Sequence, residues 1–203
     1  MGTRNLTCVV EGGEFRIAQY GQWDGYPSGQ GATILDFLKN RFDEALFRRK
    51  LALLRVVSDA EIDSLPKDTD NATFSRLYPM LNRDIGGEIL EKVQNAAPPV
   101  AVQLSTSFAA DSLWCEWCYV VDLDQRTFEA YAGSELKALH SDERFAFLSS
   151  ESSGKYGPVR FLVGWSLDAL PDEKDFIKSV TLRDIELNHP EDLEEYLKES
   201  NSN

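Results

Sequence analysis

Two short β-prone runs open the chain, 5–10 (NLTCVV) and 14–19 (EFRIAQ), separated by Glu11-Gly12-Gly13. Glycine reaches the positive φ of a tight reversal, so the pair predicts a hairpin. From Tyr20 to Gly31 the pattern loses every period. Gly21, Gly25, Gly29, Gly31 and Pro27 predict a loop, and it carries Tyr20, Trp23 and Tyr26. From Ala32 to Val57 the apolar residues Ile34, Leu35, Leu38, Phe42, Leu46, Phe47, Leu51 and Leu54 return at helical spacing. One long or two consecutive amphipathic helices are expected there. Ser58 and Glu61 stand at capping-box spacing and start a short helix ending near Pro66, followed by a polar connector over 66–80. Asp84 to Asn95 reads as a helix with Ile85, Ile89, Leu90 and Val93 inward, weakened by Gly86 and Gly87.

After Pro98-Pro99 the pattern turns β-like. Residues 112–124 (SLWCEWCYVVDLD) and 125–133 (QRTFEAYAG) predict a second hairpin turning near Asp124. Its first strand is apolar on both faces, which places it centrally in a sheet. Ser149 to Gly157 is small, polar and expected to be mobile; 159–167 is a strand, 172–180 a helix and 189–199 an exposed acidic helix. The fold class is α+β, a mainly antiparallel sheet built from hairpins and packed against amphipathic helices. Residues 1–182 form a single domain and 183–203 an acidic helical tail.

With 42% hydrophobic residues the chain can bury enough apolar surface to offset its ordering entropy. No apolar run approaches the roughly 20 residues that cross a bilayer, and the N-terminus lacks a signal-peptide pattern. A cytoplasmic protein without a membrane partner is expected. The net charge of −13 opposes binding to DNA and other polyanions. Charge is uneven, however: Lys39, Arg41, Arg48, Arg49, Lys50 and Arg55 face only Asp43 and Glu44 over 39–55, a local +4. Three cysteines cannot pair completely and His140 and His189 lack metal-ligand spacing, so neither a disulfide framework, a metal site nor a cofactor is expected.

Glu116 is the one charged residue between Ser112 and Val121. By alternation it shares a face with Trp114, Cys118 and Val120, and an unpaired buried carboxylate is costly. It is therefore either a general acid or base with a raised pKa, or half of a structural salt bridge to Arg83 or Arg16. Asp111 precedes the strand and is either a second catalytic carboxylate or a cap. Asp24, between Trp23 and Tyr26, either joins a pocket wall with Tyr20 and Gln22 for an aromatic or cationic group, or lies in a lid over the core. Cys115 and Cys118 are three apart on a strand, point to opposite faces and read as core residues, with Cys115 a minor nucleophile candidate. Thr3 after Gly2 resembles the start of proteasome-type hydrolases, whose threonine is exposed by cleavage after a glycine.

The strings MGTRNLT, AQYGQWDGYPSGQG and DSLWCEWCYVVDLD resemble a family of small proteins from fungi, bacteria and phages, over most of residues 1–180. Among characterised families the chain looks like the arginine-containing cyclodipeptide synthases. That resemblance implies joining two amino acids delivered as aminoacyl-tRNAs, one of them arginine, into a diketopiperazine for secondary metabolism. Under that activity the residues singled out above take these roles: Glu116, Asp111 and Asp24 as catalytic carboxylates, Tyr20, Gln22, Trp23 and Tyr26 as substrate walls, and Lys39, Arg41, Arg48 and Arg49 as a tRNA contact. The family's Asp-Asp-x-x-Glu signature is not intact: Asp111 to Glu116 lacks one acid, and Glu191-Asp192-Leu193-Glu194-Glu195 comes close but lies in the tail. An amidohydrolase using Thr3 and a non-catalytic small-ligand or protein-binding module are the alternatives.

Overall fold

The computed structural model describes residues 2–64, 66, 70–133, 144–150 and 157–200. Strands β1 (Asn5–Glu11) and β2 (Glu14–Gly21) form the first hairpin, its turn made by Gly12 and Gly13 at φ 66° and 74°. A single π-helical turn, Pro27–Gly31, leads into α1 (Ala32–Asn40), followed by α2 (Glu44–Leu51) and β3 (Leu54–Val56). Then come α3 (Asp59–Asp63), α4 (Asn71–Leu77), α5 (Ile89–Asn95) and β4 (Val100–Val102). The second hairpin, β5 (Trp117–Asp122) with β6 (Thr127–Ala132), precedes β7 (Arg160–Ser166), α6 (Glu173–Asn188) and α7 (Leu193–Ser200).

The main sheet runs β2-β1-β5-β6-β7, antiparallel throughout except where β1 lies parallel to β5. The α+β expectation and both hairpins hold, and β5 is the central strand with all six residues buried. One face, carrying Val9, Ile17, Tyr119, Val121, Phe128 and Leu162, packs on the apolar stripes of α1, α2, α5 and α6. The other, carrying Leu6, Cys8, Val10, Cys118, Val120 and Tyr131, is covered by Ala109, Phe145, Leu148 and Val159 from less regular segments.

Several elements differ from the sequence reading. The apolar period of 32–57 ends at Leu51: Asp43 caps α2 through the Leu46 N–H at 2.8 Å, and Leu54–Val56 turns away to pair with Val100–Val102 in a separate parallel two-stranded sheet. The 66–80 connector contains α4, started by Asp70, whose carboxylate accepts from Thr73 N–H. The loop after Tyr20 is irregular only to Tyr26, since Pro27–Gly31 already forms a helical turn. Residues 111–116 are a turn, and the strand begins at Trp117. Helix α6 continues unbroken through residue 182, where the sequence pattern sets the boundary between domain and tail. Of the segment Ser149–Gly157, residues 151–156 lie outside the described residues.

Helix α6 is anchored to the sheet by its first half. Asp172 caps it through Asp175 N–H at 2.8 Å, and Phe176 stacks on Phe128 with ring centroids 5.5 Å apart, beside Trp165 at 5.3 Å. Phe176 and Val180 bury one stripe of the helix against the sheet. Residues four apart share a helix face, so that stripe next delivers Asp184 and Asn188.

Candidate functional site

The register gathers four chain ends at one edge of the main sheet. Asn5 pairs with Gly21 and Trp117, and Trp117 pairs with Ala132, so the segments before β1, after β2, before β5 and after β6 meet there. Gly133 N–H donates to the Glu116 carbonyl at 2.9 Å, and Trp117 N–H to that of Arg4 at 3.3 Å. Into this edge α6 brings Asn188, whose Nδ2 donates to Gly133 O at 3.3 Å and to Asp184 Oδ1 at 2.6 Å. A pocket of about 200 Å³ results, lined by Ser112, Glu116, Trp117, Ala132, Gly133, Asp184 and His189.

Glu116 is not the buried strand carboxylate expected from alternation. Because 111–116 is a turn, its side chain stands at the strand's threshold, 39% exposed. Its partner is neither Arg83 nor Arg16 but Arg4: Oε1 accepts the Arg4 backbone N–H at 3.2 Å and lies 3.7 Å from Arg4 Nε. The Arg4 guanidinium carbon sits 4.2 Å from the Trp114 ring centroid. A cation over the indole face and beside a carboxylate is an arginine-recognition geometry, here filled by the chain's own residue.

Asp184 is a site residue that the sequence motifs do not mark. Its place on the buried stripe of α6 desolvates the carboxyl and pushes its pKa up, against the opposing hydrogen bond from Asn188. The signal was present in the four-residue spacing Phe176, Val180, Asp184, Asn188, which continues an apolar stripe into polar residues. His189 ends the helix at the pocket mouth, and with Glu191 and Asp192 it offers ligand atoms within 4.8 Å of one another, all on exposed residues. Exposed clusters of that kind are common without a metal.

The other sequence candidates fall elsewhere. Asp111 is a turn residue: its Oδ1 accepts from Leu113 N–H at 3.1 Å and its carbonyl from Trp114 and Cys115 N–H. Asp24 is exposed at φ 55°, a left-handed conformation uncommon outside glycine, and its carbonyl accepts Gln30 N–H at 2.8 Å. Trp23 and Tyr26 are 46% and 55% exposed. Tyr20 packs edge-on against Phe108 and donates to Gln22 Oε1 at 2.6 Å. Tyr20 thus lines a different cleft, with Gln19, Leu81, Arg83, Gln103 and Ser105.

The loop itself is tightly fastened. Gly25 N–H donates to Thr3 O at 2.9 Å, the buried Tyr119 hydroxyl donates to Gly25 O at 2.9 Å, and Trp23 Nε1 donates to Asp84 Oδ1 at 2.9 Å. A side chain at Gly25 would come within 2.8 Å of Thr3 O, so only glycine lets these two backbones approach. The exposed aromatics are therefore presented on a fixed frame, and the loop joins the N-terminal segment to the region around Asp84.

All three cysteines are free and buried, as core residues should be. Cys115 nevertheless lies in the same apolar cluster as Cys118 and Cys8, because the turn before β5 breaks the alternation that would separate them. Burial pushes the Cys115 thiol well above its ordinary value, which disfavours the nucleophilic thiolate. The basic stretch is largely neutralised. Arg41 pairs with Asp36 and Glu91, Arg48 with Glu11 and Glu44, and Arg55 with Glu61, while Lys39 and Lys50 donate to the carbonyls of Pro171 and Ala96. Among the described residues Arg49 has no acidic partner. No described helix is long and apolar enough to cross a membrane.

A second charged cluster lies on the sheet face away from the helices. Arg144 Nη2 donates to Asp122 Oδ2 at 2.6 Å and Glu129 Oε1 at 2.8 Å, its Nε donates to Glu129 Oε2 at 2.9 Å, and the Tyr131 hydroxyl donates to the same oxygen at 2.6 Å. Thr127 adds a fifth bond, to Glu129 Oε1 at 2.7 Å. Asp122 and Glu129 are both buried, and burial followed by the Glu129 charge pushes the Tyr131 pKa far up.

Comparison of the chain with protein families, with curated proteins and with solved structures finds no match.

Proposed function

We propose that the chain is an aminoacyl-tRNA-dependent synthase that joins arginine and a second amino acid into a cyclodipeptide, with the pocket of Glu116, Asp184 and His189 as its reaction centre. One observation carries this reading: two carboxylates in different settings open onto one pocket, Glu116 beside a guanidinium and Asp184 on a buried helix stripe with a raised pKa. Arg4 engages Oε1 of Glu116, and in this proposal Oε2 is the oxygen that takes the substrate guanidinium.

Aminoacyl esters are already activated, so the work left to the protein is alignment and proton transfer. The amine of one aminoacyl unit attacks the ester carbonyl of the other. A C–N bond forms, the C–O bond to the ribose breaks, and Asp184 passes the amine's proton to the departing ribose oxygen. A second attack of the remaining amine on the remaining ester closes the ring. Within this proposal Arg49 is the residue of the basic stretch still available for the tRNA.

The test is expression in a heterologous host with metabolite profiling for arginine-containing diketopiperazines. The parent should yield product, while Glu116→Gln and Asp184→Asn should yield little and keep the parent's circular dichroism. Unchanged product in both variants, or none from the folded parent, overturns the reading.

A binding module is the second reading, favoured by Trp23, Tyr26 and Trp114, the last 47% exposed, on a rigid frame. It predicts saturable ligand uptake with no product. An amidohydrolase using Thr3 has less support, since Thr3 is 6% exposed and its carbonyl is held by Gly25. A mature mass starting at Met1 or Gly2 excludes it.

A further inference from the structure

The groove between α4 and the Leu81–Asp84 turn belongs to neither the Glu116 pocket nor the reaction proposed for it. It encloses about 420 Å³ and is lined by Phe74, Ser75, Tyr78, Leu81, Asn82, Arg83 and Asp84. The Tyr20 cleft, about 150 Å³, adjoins it and shares Leu81 and Arg83. The larger volume is within the range of small-molecule sites, roughly 300–1,000 Å³.

Arg83 and Asp84 both line it, and their charges are not spent on each other. Arg41, Arg48, Arg55, Arg126 and Arg144 all meet carboxylates within ion-pair distance. Arg83 has no carboxylate partner among the described residues, and it makes no ion pair with Asp84 although both line the same cavity. Asp84 commits Oδ1 to the Trp23 indole N–H at 2.9 Å, and Oδ2 has no partner among the described residues. The apolar wall is the pair Phe74 and Tyr78, with ring centroids 5.4 Å apart, and the Tyr78 hydroxyl is already spent on Glu61 at 2.9 Å. Tyr78 is itself buried, so the ring surface that the wall offers is mainly that of Phe74.

A purely anionic ligand would meet Asp84, and a purely cationic one would meet Arg83. A molecule bearing both charges on groups attached to one carbon satisfies each. We propose that this groove binds a free α-amino acid with an apolar side chain, its carboxylate on Arg83, its ammonium on Asp84 and its side chain against Phe74 and Tyr78. The backbone ties the groove to the aromatic loop, since Gln22 N–H donates to Arg83 O at 2.9 Å beside the Trp23–Asp84 bond. Occupancy is thus felt at Trp23.

Isothermal titration of the full chain with L-phenylalanine and L-leucine tests this, with 3-phenylpropionate and 2-phenylethylamine as analogues lacking the ammonium or the carboxylate. Saturable binding of an amino acid is expected, with each analogue at least about tenfold weaker, the scale of losing a charge-assisted hydrogen bond. Arg83→Met and Asp84→Asn should weaken binding by a similar factor, and Arg83→Lys should restore part of it. Asparagine at 84 still accepts the indole N–H, so the loop is preserved and a melting curve can show it. The proposal is overturned if neither amino acid saturates at millimolar concentration, if Arg83→Met binds as the parent does, or if either analogue binds as tightly as phenylalanine.

Discussion

Two clusters, each pairing an Asp with a Glu, one on the main sheet and one where α6 meets its end, differ in how far their acceptors are satisfied. Around Arg144, Asp122 and Glu129 are buried in a closed network in which a guanidinium, a phenol and a hydroxyl supply the donors. At the sheet edge, Glu116 and Asp184 open onto a pocket with donors only partly supplied, by Arg4 and Asn188. A fully satisfied buried charge network rigidifies, because removing any member strands the others in a low dielectric. Carboxylates with acceptor capacity left over at an opening are able to take a ligand or a proton. Charge near apolar surface is thus a weak sign of chemistry until the count of its partners is known.

Breaking the closed cluster should have the largest effect. Arg144→Met leaves two buried carboxylates without a counter-ion and should cost about 3–5 kcal/mol in urea denaturation. A loss under 1 kcal/mol would mean that the cluster is no more structural than the open one. At the open cluster the balance should reverse. Under the proposed synthase activity Glu116→Gln should lower product formation by about 100-fold or more, the scale of acid–base and charge contributions, while loss of the part-buried pair with Arg4 should cost about 1 kcal/mol, well below the closed cluster.

Asp184 sharpens the contrast through pH. Its folded pKa is raised above the ordinary 3.8 by burial, so the folded chain holds the proton more tightly than the unfolded one. Its contribution to stability is fully present below the unfolded value and is lost as pH rises through the window up to the raised folded value. Asp184→Asn should remove that slope from melting temperatures measured across the window and leave the variant the more stable above it. The smallest effect belongs to Trp114→Ala, which removes the indole from beneath Arg4 and should cost about 0.5–1 kcal/mol at this exposed position. A larger loss in thermal melts would give the open cluster a structural weight that its geometry does not suggest.

Much of the fold was legible because local chemistry and tertiary structure agree. Gly12-Gly13 between two β-prone runs made a hairpin, and the doubly apolar run around Tyr119 made the central strand. The misses have local causes. Leu54–Val56 continued a helical period yet pairs as a strand, since a short apolar run takes whichever partner is offered, here Val100–Val102. Alternation through 112–121 would bury Glu116 in a strand, and the turn held by Asp111 cancels that alternation.

By itself the sequence determined the class of fold, its hairpins and the loop that bears the exposed aromatics, because turn residues and apolar periods act over a few neighbours. Which side chains meet was decided only by tertiary structure. Arg4 reaches Glu116 across 112 positions, and the packing of Phe176 on Phe128 carries Asp184 to the same pocket. Contacts of such separation depend on how strands and helices are registered against one another, a quantity no short stretch of sequence encodes.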